Sequence, residues 1–245
     1  MEWSDDAIVI SVKPHGESAA ILEALTKDHG RHLGLVRGGG SRKSKAALQP
    51  GNTLRVVWRA RLNEHLGTFA MEPARMRAGE MLEHRAALAG LNAFTGVTSA
   101  ALPEREPHRS VYDAGEILLA AMAGRSIREW GPLYVRWEAG LLDELGFGLD
   151  LSQCASTGST DDLVYVSPKS GRAVSRDAGE PYAPRMMTLP AFLLGTQNPT
   201  PSLADVAAGL RLTAHFLLER VLAPHGKELP PARLRLETLA ERESD

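Results

Sequence analysis

The run Gly38-Gly39-Gly40-Ser41-Arg42-Lys43-Ser44-Lys45 brings together the residue types that hold phosphate. Glycine lets a backbone approach an anion closely, while Arg and Lys supply fixed charge. A nucleotide-hydrolysing loop of the Walker type needs Gly, four residues, then Gly-Lys-Ser/Thr, set between a strand and a helix. No glycine precedes Lys43, and the flanks read as strands and a turn. Nucleotide hydrolysis is therefore not expected, and a flexible basic loop lying against backbone phosphates is. The loop belongs to a larger basic block. From Arg31 to Arg61 there are eight cationic residues, Arg31, Arg37, Arg42, Lys43, Lys45, Arg55, Arg59 and Arg61, and no Asp or Glu. A positive stripe of that density suits a polyphosphate backbone; a solvated basic face is the plainer alternative.

Other groupings hold less chemistry. The eight histidines show no H-x-x-x-H spacing, and His29 and His32 lie across an expected turn and strand. Cys154 has no neighbouring His or Lys to activate it, so a buried, inert thiol is expected. Glu104/Glu106 and Asp161/Asp162 fall in polar loops and read as solvated. No catalytic set emerges, and the chain is expected not to be an enzyme.

The elements that position the basic block follow from periodicity. Ala7–Val12, Ala19–Thr26, His32–Arg37, Thr53–Ala60 and His65–Met71 read as five short strands separated by turns such as Asp28-His29-Gly30 and Gln49-Pro50-Gly51-Asn52. Leu54, Val56 and Trp58 alternate with Arg55, Val57 and Arg59, which puts Arg55 and Arg59 on one face and favours Trp58 in the core rather than on a base. Five strands with no helix between them fit a small OB-like barrel. From Met76 the period becomes helical. Met81, Leu82, Leu88, Leu91 and Phe94 suit one helix. Ser110 opens another, through Ile117, Leu118, Ala121 and Met122 to Gly124. A third spans Ile127–Leu145, and Ser202 with Asp205 starts a fourth with a stripe of Val206, Leu210, Ala214, Leu217 and Val221. Between the last two sits a Ser/Thr/Gly/Asp-rich insert, Leu151–Pro190, with one strand signal at Leu163–Val166. The expected fold is mixed α+β: a barrel domain over 1–76 and a helical domain over 77–245 that carries the insert 151–190.

Totals are consistent with this division. Residues 1–80 hold twelve Lys/Arg against nine Asp/Glu, so the chain's net charge of −2 hides a basic first third and an acidic remainder. One cysteine excludes an internal disulfide and fits a reducing compartment. No apolar run approaches the roughly 20 residues of a membrane span, and the acidic start lacks the features of a signal peptide. A cytoplasmic protein is expected.

Four stretches together resemble the bacterial recombination mediator RecO family. They are Ala7-Ile8-Val9-Ile10 leading to Gly16-Glu17-Ser18; Leu25-Thr26-Lys27-Asp28-His29-Gly30-Arg31; Arg37-Gly38-Gly39-Gly40 through Leu48-Gln49-Pro50; and Trp137-Glu138 through Leu141-Leu142-Asp143-Glu144-Leu145-Gly146-Phe147. The resemblance implies an N-terminal OB-fold and a helical C-terminal domain. It also implies binding of single- and double-stranded DNA, annealing of complementary strands, and help for RecA in replacing single-stranded DNA-binding protein (SSB) at the nucleoid. RecR, the acidic SSB tail and, in some pathways, RecF are the partners implied. Many members carry two C-x-x-C pairs that bind zinc. Here the corresponding residues are Cys154 with Thr157 and Ser175 with Ala178, and three of these four cannot serve as thiolate ligands. No cofactor and no metal are therefore expected.

On this reading Arg31, Arg37, Arg42, Lys43 and Lys45 contact phosphates from one edge of the barrel, and Arg55, Arg59 and Arg61 extend the track. The SSB tail needs an apolar groove rimmed by Arg; Arg128 and Arg136 are the candidates, with Leu133, Trp137 and Leu141 read as core. A protein-interaction scaffold whose basic loop docks an acidic partner is the alternative.

Overall fold

Alternating apolar and polar side chains build five strands, β1 (Glu2–His15), β2 (Ala19–Thr26), β3 (Gly30–Val36), β4 (Thr53–Arg59) and β5 (Thr68–Arg75), with a short helix α1 (Arg42–Ala47) between β3 and β4. In this computed structural model residues 1–62, 64–195 and 201–243 are described. At 14 residues β1 is long enough to pair antiparallel with β4 along its first half and with β2 along its second. A bulge between Val9 and Ser11 bends it between the two ladders. The order β1-β2-β3-β5-β4 closes into a barrel, sealed by the parallel contact of Leu35 with Thr68.

The barrel interior is filled by Val9, Leu22, Leu54, Val56, Trp58 and Phe69, with Ala47 and Leu48 from the end of α1 packed among them. Trp58 is core, as its alternation implies: it is 1 % exposed and its indole N–H donates to the Leu66 carbonyl at 3.1 Å. Trp3 stacks between Trp58 (5.5 Å) and His29 (4.0 Å). His32 is buried against the same rings; desolvation first, then the charge of Arg105, pulls it down to about 4.

Helices α2 (Ala78–Leu82), α3 (Arg85–Ala101) and α4 (Arg109–Met122) complete a compact unit, Met1–Gly124. The expected single helix through Leu82 and Leu88 is interrupted, because His84 is extended and caps α3 afresh. Helix α4 begins one residue before Ser110, and Ile117 on its apolar stripe is 63 % exposed. Gly30 is required for sterics: its φ is +72° and a Cβ there would stand 2.0 Å from the Glu106 carbonyl oxygen.

The second compact unit, Arg125–Asp245, is built on α5 (Ile127–Glu144), opened by a capping box of Ser126 and Glu129. Next comes a lobe of β6 (Leu163–Val166), β7 (Ala173–Ser175), the short helix α6 (Arg176–Gly179) and β8 (Met187–Thr188), its three strands ordered β7-β6-β8. The helices α7 (Leu203–Phe216) and α8 (Pro231–Arg242) follow. Ser202 and Asp205 form the capping box expected for α7, and its stripe from Val206 to Val221 is buried. Gly131 lies against Val206, and Gly209 against Val135, so close that a Cβ at either would fall within 3 Å, which lets α5 and α7 pack tightly.

A fully buried ion pair ties α5 to α8. Arg233 donates from Nε to Glu138 at 2.6 Å and from Nη2 to Glu138 and the Leu210 carbonyl, while the Thr213 hydroxyl donates to Glu138 at 2.5 Å. Burial opposes the charge on Arg233, and Glu138 more than offsets it, raising the guanidinium above its ordinary range. Truncating one partner strands the other's charge in the core. Glu138→Ala is therefore expected to cost about 3–5 kcal/mol in denaturant unfolding of the full chain, and far more than the paired replacement Glu138→Leu with Arg233→Met.

Candidate nucleic-acid interface

The turn that carries the three glycines is hydrogen-bonded to the barrel and leads directly into α1. Gly39 N–H donates to the Val36 carbonyl (3.2 Å), Gly40 N–H to the Ser18 carbonyl (2.9 Å) and Ser41 N–H to the Gly38 carbonyl (3.1 Å). Ser41 then caps α1, its hydroxyl oxygen accepting from Ser44 N–H at 3.2 Å. The far end of α1 is held by buried Ala47 and Leu48 and by Asn52, whose amide donates to the Ala46 and Ala47 carbonyls. An apolar end inside the barrel forces Arg42, Lys43 and Lys45 outward.

The eight predicted cations divide into two sets. Arg37, Arg42, Lys43, Lys45 and Arg61 are exposed, and among the described residues none has a carboxylate within ion-pair distance. Four of them lie in sequence on the β3–α1 connection and α1, and Arg61 lies on the β4–β5 connection. Arg31, Arg55 and Arg59 are engaged. The β1–β4 register sets Glu2 opposite Arg59 and Asp6 opposite Arg55, and the pairs close at 2.8 and 3.8 Å. Arg31 is turned inward, its side chain only 14 % exposed; it donates to Glu23 (2.8 Å) and to the Leu102 carbonyl (2.9 Å) and lies 3.7 Å from Glu104. Glu23 also accepts from Ser11 and Ser99. Burial raises its pKa, but these donors together hold it below the usual carboxylate range. Arg31 is thus a half-buried structural link between β2, β3 and the end of α3.

Two further basic residues that the sequence did not single out, Lys13 and His15, are exposed on the β1–β2 hairpin whose Ser18 meets the glycine turn. They precede the acid-free window, and only the barrel topology brings their hairpin to α1. In the second unit Arg128 is exposed. Arg136 donates twice to the Phe192 carbonyl (2.7 and 3.2 Å) and lies over the Phe192 ring. Trp137 and Leu141 are buried and Leu133 is half-buried.

In the lobe, Cys154 is 1 % exposed. Its sulfur accepts from the backbone N–H (3.3 Å) and hydroxyl (3.4 Å) of Ser175. Burial raises the thiol pKa, but the donors of Ser175 and Thr157 outweigh it and bring the group down to about 6. Ala178 offers no donor atom, and the Ser175 hydroxyl is spent on the thiol. These residues do not fit a structural zinc ion, and among the described residues no three His, Cys, Asp or Glu are grouped to hold a metal.

A closed barrel of this strand order, with a helix between its third and fourth strands and one basic rim, defines an OB-fold protein with a helical second unit. Family comparison agrees along the chain: residues 1–76 match the model of recombination protein O, N terminal, and residues 82–229 that of its C terminal. Curated DNA repair protein RecO sequences are similar over nearly the full length. The Cereibacter sphaeroides protein is 51% identical over 99% of both chains, and the Phenylobacterium zucineum protein 50% over 96% of both. The Sinorhizobium medicae protein is 49% identical over 95% of this chain and 92% of its own. The chain belongs to the RecO family of DNA repair proteins.

The hydrogen-bonded thiol gives a test of the lobe. Ser175→Ala removes a donor, so the Cys154 titration, followed by the ¹³Cβ shift of the single cysteine, is expected to move upward. A folded-state pKa held below the unfolded one stabilises above the unfolded value and loses that contribution as pH falls through the folded value. The cost of Ser175→Ala should therefore grow between about pH 6 and about pH 8.5, and added zinc should leave the melting temperature unchanged.

Proposed function

We propose that this protein binds single- and double-stranded DNA without catalysing a reaction, anneals complementary strands and helps load RecA onto SSB-coated single strands. The observation that carries this reading is the set of five unpaired cations, four of them on one anchored turn and helix. A cation already neutralised by a carboxylate must break that pair before it can serve a phosphate, whereas a free one releases counterions on contact. Phosphate contacts position a strand without reading its sequence, so binding is expected to be tolerant of sequence. Annealing then needs only that two backbones be neutralised together while base pairing selects the match.

RecR and the acidic tail of SSB are the proposed protein partners, with RecF and RecA as further ones, and the cytoplasm at the nucleoid is the proposed location. No helix among the described residues is long and apolar enough to cross a membrane. Both arginines are exposed; for the SSB tail Arg128 is the better candidate, because Arg136 already spends two donors on the Phe192 carbonyl.

Anisotropy binding to a labelled single-stranded oligonucleotide across a salt series tests the interface. The slope of log affinity against log salt is expected to flatten by about 2 in Arg42→Ala/Lys43→Ala/Lys45→Ala, at about 0.7 per phosphate contact. Arg31→Ala should instead lower the stability of the fold and leave the slope of the folded protein unchanged. Weak wild-type binding that ignores the triple substitution would favour the scaffold reading.

A further inference from the structure

We propose that the cavity between α1 and the β1–β2 hairpin is a slot for one unstacked base of single-stranded nucleic acid. This rests on the DNA-binding reading above and deepens it. The cavity, of about 380 Å³, is walled by Val12, Pro14 and Ala19 from the hairpin side and by Leu48 and Pro50 beyond α1, with Lys45 on its lining. Gly39 and Gly40 complete the wall. A Cβ on Gly39 would come 2.8 Å from the Ala20 Cβ, and one on Gly40 3.3 Å from the Ser18 carbonyl oxygen. The wall is therefore bare backbone, braced against the hairpin by the hydrogen bond from Gly40 to Ser18.

The distribution of charge selects the occupant. Lys45 is one of the unpaired cations, and Arg42 and Lys43 stand on the same helix. The one acid on the lining is Glu17, exposed and without an ion pair among the described residues. An occupant with an anionic group at Lys45 and an uncharged, N–H-bearing body in the slot satisfies both, since the Glu17 carboxylate can accept from that body. A nucleotide has this form: its phosphate and base are covalently tied, and every base carries at least one N–H. An acidic peptide would instead bring further negative charge toward Glu17. Stacking elsewhere on the barrel is restricted, because Trp3 is sandwiched between Trp58 and His29 and Trp58 is buried. An apolar cleft can hold a base by contact with its faces, as ligand pockets with few polar groups do.

The test compares two single-stranded oligonucleotides of equal length, one of thymidines and one entirely abasic, by anisotropy on the full chain. Wild type is expected to prefer the thymidine strand on the order of tenfold, from burial of base faces against aliphatic side chains. Ala19→Trp fills the slot and should bring that ratio close to one while leaving affinity for the abasic strand as it was; Lys45→Ala should weaken both strands. Ala19→Leu, a smaller plug with the same expectation, serves if the indole unfolds the hairpin. A tenfold preference that persists in a folded plugged variant places base contact elsewhere and overturns the slot alone. Binding of neither strand by wild type overturns the DNA-binding reading and the slot with it. A wild-type ratio near one, with an acidic peptide ending in phenylalanine bound by wild type and lost in Ala19→Trp, makes the cavity a peptide site and overturns the proposal.

Discussion

The double pairing of β1 governs most of what this protein presents to its surroundings. One strand must ladder with β4, bend at the Val9–Ser11 bulge, and ladder with β2, or the barrel has two open edges. That requirement fixes the β1–β4 register, and the register delivers Asp6 and Glu2 to Arg55 and Arg59. The same closure seats Ala47 and Leu48 in the barrel and turns Arg42, Lys43 and Lys45 to solvent. Which cations are free is thus a consequence of how the sheet closes, and local charge density alone does not decide it. Side chains at i and i+4 of one strand share a face, so Glu2 and Asp6 match Arg55 and Arg59 in spacing as well as in sign.

Anchoring also changes how the free cations work. On a flexible glycine loop each contact with a phosphate would first have to order the backbone, at about 1–2 kcal/mol per residue. Here the turn is already stitched to Val36 and Ser18, and the helix is capped by Ser41 and held by Asn52. The backbone cost is met on folding, and only side-chain freedom is lost on contact. A basic turn ordered in this way would suit the proposed annealing role, in which two strands are held while they test their pairing.

The lobe of the second unit shows a different substitution of forces. A four-thiolate centre would fix its chain segments through one ion. In its place the Cys154 sulfur accepts from Ser175, and Cys154 N–H donates to the Ser159 carbonyl, Ala155 N–H to Ala173 and Leu189 N–H to Val164. Val166, Ala173 and Leu163 are buried beneath these bonds. Each is modest, about 0.5–1.5 kcal/mol, but they are distributed over the sheet, so the lobe does not depend on a single centre. Metal binding would have coupled its folding to pH and to metal supply; the hydrogen-bonded thiol retains only a pH dependence.

Strand positions were legible in outline because alternation is written locally, but not all of their ends: β1 runs Glu2–His15 rather than Ala7–Val12, β5 runs Thr68–Arg75 rather than His65–Met71, and Ser110 lies inside α4 rather than capping it. Alternation gave β4 its two faces, Ala19–Thr26 was bounded as found, and Ser202 with Asp205 marked the start of α7. Contacts made at long range were not. Helix α1 is six residues long, RKSKAA, too short to show a helical period, and is stabilised by burial of its end in the barrel. Strands β7 and β8 are three and two residues long and exist by pairing with β6. Helix α8 carries Arg233 at a core position, where a hydrophobic pattern would register a break, and its principal partner, Glu138, is 95 residues away. Arg31 fails as a surface residue for the same reason: Glu23 is close in sequence, but the Leu102 carbonyl that fixes the inward rotamer comes from beyond α3. A charge has meaning for function only once its partners are known, and in a closed barrel those partners are set by strand order.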